Sequence, residues 1–156
     1  MLASLLLLVT AAGSGSSGEV DYDRQVDFSK YKTWSWHEGV THAMNPTIDN
    51  RIREAIENGL TARGLSRADS NATLRVAYHA SRTKQIEVAP LGTAAPPTGL
   101  RYSEKGSLVV EMLDAGSGKV VWRGQAAGVM RYGPNEIAEQ IKAAVDKLLE
   151  GFPPKP

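Results

Sequence analysis

Apolar positions along the chain alternate between two periods, and the changes of period mark the elements. Val20 and Tyr22 sit between acidic neighbours, which predicts a short first strand. Asp27 to Tyr31 reads as a turn or a single helical turn. Thr33-Trp-Ser-Trp-His37 alternates strictly, with Trp34 and Trp36 on one face, as in a half-buried strand. At Asn45-Pro46-Thr47 the period lengthens. Asn or Thr can cap free N–H groups there, and proline is tolerated in a first turn. Ile48, Ile52, Ala55, Ile56, Gly59 and Leu60 then recur at helical spacing, while Asp49, Arg53, Glu54 and Glu57 point away from that stripe. Gly64 ends this helix, with Arg63 just before it.

From Ala72 to Lys84 the period returns to two. Leu74, Val76, Tyr78 and Ala80 share one face, and Arg75, Ala77, His79 and Ser81 share the other. Gln85 to Tyr102 holds three prolines and two glycines without a clear period, which predicts a long loop. Tyr102 to Val129 then reads as two antiparallel strands about a glycine-rich turn, Asp114-Ala-Gly-Ser-Gly118. Leu108, Val110 and Met112 form the apolar face of one strand; Val120, Trp122, Gly124 and Ala126 form that of the other. Gly133-Pro134-Asn135 opens a last helix with the stripe Ile137, Ile141, Ala144, Val145 and Leu148. Lys142 and Asp146 are spaced for a surface pair, and Gly151-Phe-Pro-Pro154 stops the helix.

The order is strand, strand, helix, strand, hairpin, helix, with no internal repeat. Each helix has one apolar stripe and each strand mostly one apolar face. These features predict an α+β two-layer sandwich: a mainly antiparallel sheet of four or five strands with both helices packed on one face. The 156 residues suffice for one such domain, expected over residues 19–156.

Residues 1–18 are different in kind. Leu2 to Ala12 is an apolar run too short to span a bilayer, which needs about 20 residues. Its length and small-residue ending match the apolar region of a signal peptide, although no positive charge precedes it. Gly13 to Gly18 reads as a flexible tether. Export is the expectation.

Charge and composition narrow the function by exclusion. The 18 Lys and Arg nearly balance 17 Asp and Glu, and all of them follow residue 18, so no basic surface for a phosphate backbone is expected. Without cysteine there is no disulfide framework, no thiolate zinc site and no cysteine nucleophile.

Several phrases together resemble the DUF4136 family, bacterial envelope proteins of unknown function, many of them lipoprotein-like. They are Val20-Asp-Tyr-Asp23, Asp27-Phe-Ser-Lys-Tyr-Lys-Thr-Trp-Ser-Trp36, Asn45-Pro-Thr-Ile-Asp-Asn-Arg-Ile-Arg53, Leu74-Arg-Val-Ala-Tyr-His-Ala80, Gly106-Ser-Leu-Val-Val through Val121-Trp-Arg-Gly124, and Lys147-Leu-Leu-Glu-Gly-Phe-Pro-Pro154. Trp-Arg-Gly beside the turn is the most specific. The resemblance implies an α/β fold and an envelope location. The periplasm or the periplasmic face of the outer membrane is the expected place, with the N-terminus keeping the domain near a membrane. It implies no activity. The chain departs from the lipoprotein pattern at Ser14, which stands where an acylated cysteine is expected. Three explanations remain open: Ser14 replaces a natural cysteine, the protein is cleaved as an ordinary secreted protein, or the apolar run stays as a weak anchor.

Candidate chemistry is thin. His37, His42 and Glu38, with His79 from another strand, could surround a zinc or copper ion, but no ligand spacing is matched, so no metal and no cofactor is expected. His79 and Ser81 are neighbours without a nucleophile elbow, which does not make a hydrolase. Gly116 and Gly118 precede a strand rather than a helix, so they belong to a hairpin turn and not to a phosphate loop. The more promising feature is the polar sheet face. Arg75, His79, Glu111, Arg123 and Gln125 are candidates for an interaction surface, against the plainer reading of a solvated face with cross-strand charge pairs. The sequence therefore predicts a non-enzymatic envelope domain whose partners are proteins or the cell wall. A small-molecule or metal-binding periplasmic module is the alternative. The Gln85–Tyr102 segment separates them: folding over an apolar pocket favours a ligand, pairing with another chain favours assembly.

Overall fold

The computed structural model describes residues 17–42, 45–88 and 100–154. The apolar segment, Ser14, and residues 89–99 lie outside them. Among the described residues six strands form one sheet: β1 (Ser17–Tyr22), β2 (Thr33–His42), β3 (Ser66–Arg67), β4 (Leu74–Val88), β5 (Leu100–Asp114) and β6 (Val120–Val129). Two helices accompany it, α1 (Pro46–Thr61) and α2 (Glu136–Leu149). A single 3-10 turn over Phe28–Lys30 follows β1.

The spatial order is β1-β6-β5-β4-β2-β3. β1, β6, β5 and β4 pair antiparallel in succession, whereas β2 runs parallel to both β4 and β3. The sheet is thus larger than the four or five strands expected, and one flank is parallel. The reason is topological: α1 carries the chain from β2 back to the start of the sheet, and a return through a helix brings the next strand in parallel. β3 escaped notice because two exposed residues carry no periodicity. β1 begins at Ser17, so the last two residues of the expected tether belong to the first strand.

Local chemistry fits these boundaries. The Asn45 side chain accepts from the Ile48 N–H at 2.9 Å and Pro46 opens α1, leaving fewer of the helix's first N–H groups unpaired. Beyond α1, Gly64 adopts φ +82°, which favours glycine. Ile48, Ile52, Ile56 and Leu60 from α1 and Val145, Leu148 and Leu149 from α2 join Trp34, Leu74, Val76, Tyr78, Val110, Met112 and Trp122 in one core cluster. Both helices therefore cover the same sheet face. Trp34 and Trp122 are fully buried, and Trp36 packs against the cluster from its edge.

Two departures concern register. Val120 is 46% exposed, not on the core face, while its neighbour Val121 is buried. Met112 pairs with Trp122 but Leu113 pairs with Val120, so Val121 is the extra residue of a bulge. A single inserted residue breaks the two-residue alternation and turns the preceding side chain outward. The second departure is the expected Gln85–Tyr102 loop. β4 runs on to Val88 and β5 starts at Leu100, paired throughout. Alternation continues there, with Thr83, Gln85, Arg101 and Ser103 all at positions of one parity, but Lys84 and Glu104 interrupt the apolar positions of the other.

These long strands outreach their neighbours. Among the described residues, β2 last pairs with β4 at His79, and β6 last pairs with β5 at Lys105. Beyond Glu104, whose carbonyl still accepts from the Met130 N–H, the pairs Gln85↔Ser103 through Val88↔Leu100 stand as a two-stranded ribbon, about 13 Å long at the usual strand rise. Ile86 and Tyr102 face each other on it, 61% and 71% exposed. Glu104 anchors its base. The Glu104 carboxylate lies 3.6 Å from Arg82 and 3.9 Å from Lys84, and it accepts a hydrogen bond from the Tyr132 hydroxyl.

Candidate functional site

The five residues singled out from the sequence do share the sheet face away from the helices, but they do not converge. Glu111 and Arg123 are cross-strand partners, with oxygen and nitrogen 3.6 Å apart. Gln125 and His79 flank Val109 on either side, and Arg75 opposes Leu113. Ala77 separates Arg75 from His79 along β4, and β5 separates both from β6. The expected cluster is one exposed ion pair within a mixed face that also holds Val109 and Leu113. Strand parity predicted the face correctly; it carries no information on how far apart two strands lie.

The pair itself contributes little. Exposed ion pairs are typically worth about 0.2–1 kcal/mol. Arg75 instead borders a groove of about 510 Å³ at the end of the sheet, together with Ser35, Glu38 and Asp69. A second groove of about 410 Å³ runs along α1, where Trp36, Arg53, Glu57 and Arg67 line it.

His79 is exposed, and its register partner at the end of β2 is His42, whose side chain lies outside the described residues. The Nδ1 of His37 is buried without a hydrogen-bond partner. Among the described residues no three metal-ligating side chains gather. Ser81, the neighbour of His79, shares a 2.6 Å hydroxyl–hydroxyl hydrogen bond with Ser107 across the strands.

Two polar constellations escaped the sequence reading. The first lies on α1. Asp49 and Arg53, read as pointing away from the apolar stripe, turn back over the sheet. The Arg53 Nε donates to Asp49 at 2.9 Å, and the Tyr78 hydroxyl donates to the other Asp49 oxygen. The Arg53 guanidinium lies 4.9 Å from the Trp36 ring centroid and 5.6 Å from that of Tyr78. Burial, and then the hydrogen bond to Asp49, hold the Tyr78 phenol well above its usual range. This arrangement clamps α1 onto the sheet. The i, i+4 spacing of Asp49 and Arg53 was visible, but the aromatic surface that receives them comes from other strands.

The second centres on Asp114 at the hairpin turn. Its carboxylate accepts from the Ser117 N–H at 2.8 Å and the Tyr31 hydroxyl at 2.8 Å, and Lys30 stands 3.1 Å away. The Ser117 N–H, then Tyr31 and Lys30, hold Asp114 far below the usual carboxylate range. Asp114 thereby ties the turn to the segment after β1.

The most specific phrase, Trp122-Arg-Gly124, now has a physical reason. The tip of the Trp122 ring reaches Gly124, so that a Cβ there would stand 2.5 Å from the ring's Cη2. A family model for a domain of unknown function, DUF4136, matches residues 18–154. The chain belongs to the DUF4136 family. No curated protein matches the sequence. The DUF4136 domain shares its fold with a PDZ domain protein from Parabacteroides distasonis, at a TM-score of 0.61 and 16% identity over 92% of this chain. It spans only 38% of that protein's chain. It also shares the fold with PelC from Paraburkholderia phytofirmans, at a TM-score of 0.56 and 15% identity, covering 86% of this chain and 94% of that one. PelC crystallised as a dodecamer in two space groups. Among the described residues no helix of the DUF4136 domain is long and apolar enough to cross a membrane.

Proposed function

We propose that this DUF4136 protein is a non-enzymatic cell-envelope domain, periplasmic or on the periplasmic face of the outer membrane, that works by contacting other proteins or the cell wall. The observation that carries the reading is the ribbon formed by the ends of β4 and β5. A two-stranded ribbon is marginally stable alone in water, yet this one extends past the sheet with Ile86 and Tyr102 exposed. Such an element suits a surface that becomes complete on contact with a partner. The dodecamer of PelC, which has the same fold, supports an assembling role over a catalytic one.

The test is crosslinking in the native envelope followed by affinity purification and mass spectrometry. Parent protein is expected to bring down a reproducible partner set, including copies of itself, that Ile86→Glu depletes and Arg123→Ala alters less. Recovery of the bait alone, without self-crosslinks, from parent and both variants would refute the reading.

A further inference from the structure

Among the described residues, two stretches of the sheet's edge lack a strand partner and carry exposed apolar side chains on the same face. One is β1. The Asp23 N–H donates to the Val121 carbonyl at 2.9 Å, which makes 23 and 121 a hydrogen-bonded pair of the antiparallel ladder. By the alternation of such ladders, Gly18, Val20 and Tyr22 aim their N–H and C=O groups away from β6. The other edge is β4 beyond His79. The Met130 N–H donates to the Glu104 carbonyl at 2.7 Å, so Glu104 faces β6 and Ser103 and Lys105 face β4. Their partners Gln85 and Thr83 are then the inward-bonded residues of β4, and Arg82, Lys84 and Ile86 turn their backbone groups outward.

Natural edge strands are usually blunted by bulges, prolines or lysines. β1, with the sequence Ser-Gly-Glu-Val-Asp-Tyr, has neither proline nor lysine, and its register with β6 is unbroken. Its outward-bonded Val20 and Tyr22 are 41% and 37% exposed. On β4 the outward-bonded Ile86, with Tyr102 beside it, lies on the same helix-bearing face of the sheet. The charges differ in sign between the two strands. β1 and the next residue carry Glu19, Asp21 and Asp23 with no cation, while the outward-bonded stretch of β4 carries Arg82 and Lys84, both ion-paired to Glu104. Two acidic β1 strands side by side would repel each other, whereas β1 beside β4 meets no such repulsion from its outward-bonded residues.

We infer that the partner of this surface is a second copy of the same chain, with β1 of one copy adding antiparallel to the free β4 edge of the next. This deepens the contact function proposed above and rests on it. β1 and β4 already run in opposite directions within one copy. An antiparallel join therefore repeats with successive copies in the same orientation and all helix layers on one side. The contact is heterologous, so it closes into a ring or extends as a filament. Val20 and Tyr22 come to lie over Ile86 and Tyr102.

The chain has no cysteine, so single thiols can be placed cleanly. Val20→Cys and Ile86→Cys copies of different tag length are mixed and treated with a short thiol crosslinker. The mixture is expected to give the mixed dimer, and Val20→Cys alone is expected to give none. In sedimentation, the parent is expected to form species larger than a dimer. Val20→Pro removes one outward N–H without touching the β1–β6 ladder, and Ile86→Glu changes an exposed side chain. Each should weaken association by about tenfold or more, a loss of about 1.4 kcal/mol or more, while melting with the parent domain. A parent that stays monomeric, or β1–β1 crosslinks from Val20→Cys alone, would overturn the inference. Recovery of foreign partners by a monomeric parent would leave the contact function standing while this interface falls.

Discussion

Gly124→Ala tests the packing logic most directly, because the added atom is one methyl group and its surroundings are known. The new Cβ would sit 2.5 Å from Trp122 Cη2 and 3.2 Å from Cζ2 and Cζ3. Carbon atoms prefer about 3.5–4.0 Å. The ring has little freedom to retreat. Trp122 is 1% exposed and meets Phe152 edge-on at 5.7 Å, and Phe152 in turn meets Phe28 at 6.0 Å. Overpacking of this kind costs about 1–3 kcal/mol. Alanine recovers about 0.5–1 kcal/mol through the lower chain entropy lost in a strand. The net destabilisation is then about 1–2 kcal/mol, or a fall in Tm of about 2–8 °C for a domain of this size. Calorimetry and urea unfolding measure it, and a double-mutant cycle with Trp122→Leu assigns it. Once the indole is gone, Gly124→Ala should be neutral or stabilising, giving a coupling of about 1 kcal/mol or more. A Gly124→Ala protein as stable as the parent, or the same cost in both backgrounds, would refute the account.

Two further predictions concern the charged groups. Asp114 has a lowered folded-state pKa, so its contribution to stability is present above its unfolded value of about 3.9 and is lost as pH falls through the folded value. Asp114→Asn should lower Tm by a few degrees at pH 7 and flatten the decline between about pH 5 and pH 2; identical slopes for parent and variant would count against the Asp114 hub. For Glu111 and Arg123, a double-mutant cycle on thermal stability should give a coupling under about 1 kcal/mol that shrinks in high salt. A larger, salt-resistant coupling would mean that the polar face is better organised than one exposed pair.

The sequence was most informative where a single period ruled an element. The stripes Ile48–Ile52–Ile56 and Val145–Leu148 named the core faces of both helices, and the parity of Leu74, Val76 and Tyr78 named that of β4. It was least informative where strand partners decide the outcome. Nothing in Thr33–His37 says that β2 runs parallel to β4, since direction depends on the path of α1. Val121 reads like Val120 until the ladder shows which is inserted. The candidate face suffered the same limit. Parity placed Arg75, His79, Glu111, Arg123 and Gln125 on one side, while the strand order that spreads them apart belongs to the fold. The ends of β4 and β5 were misread because their partners supply the order that their composition hides.

The position of β1 also bears on the order in which this molecule can be made. β4, β5 and β6 form a meander of neighbours in sequence, able to zip as soon as they exist. β1 is the first strand in the chain but must wait for β6, about a hundred residues later, before it has anything to bond. Within one copy, among the described residues, it is also held from one side, by β6 and by α2 beneath it. In the separated single copy, amide hydrogen exchange should therefore find its protons the first of any strand in the antiparallel meander to be replaced, with local opening of β1 well ahead of global unfolding. Each such opening would uncover a fresh edge on β6, so the strand that finishes the sheet is also the latch that keeps it shut.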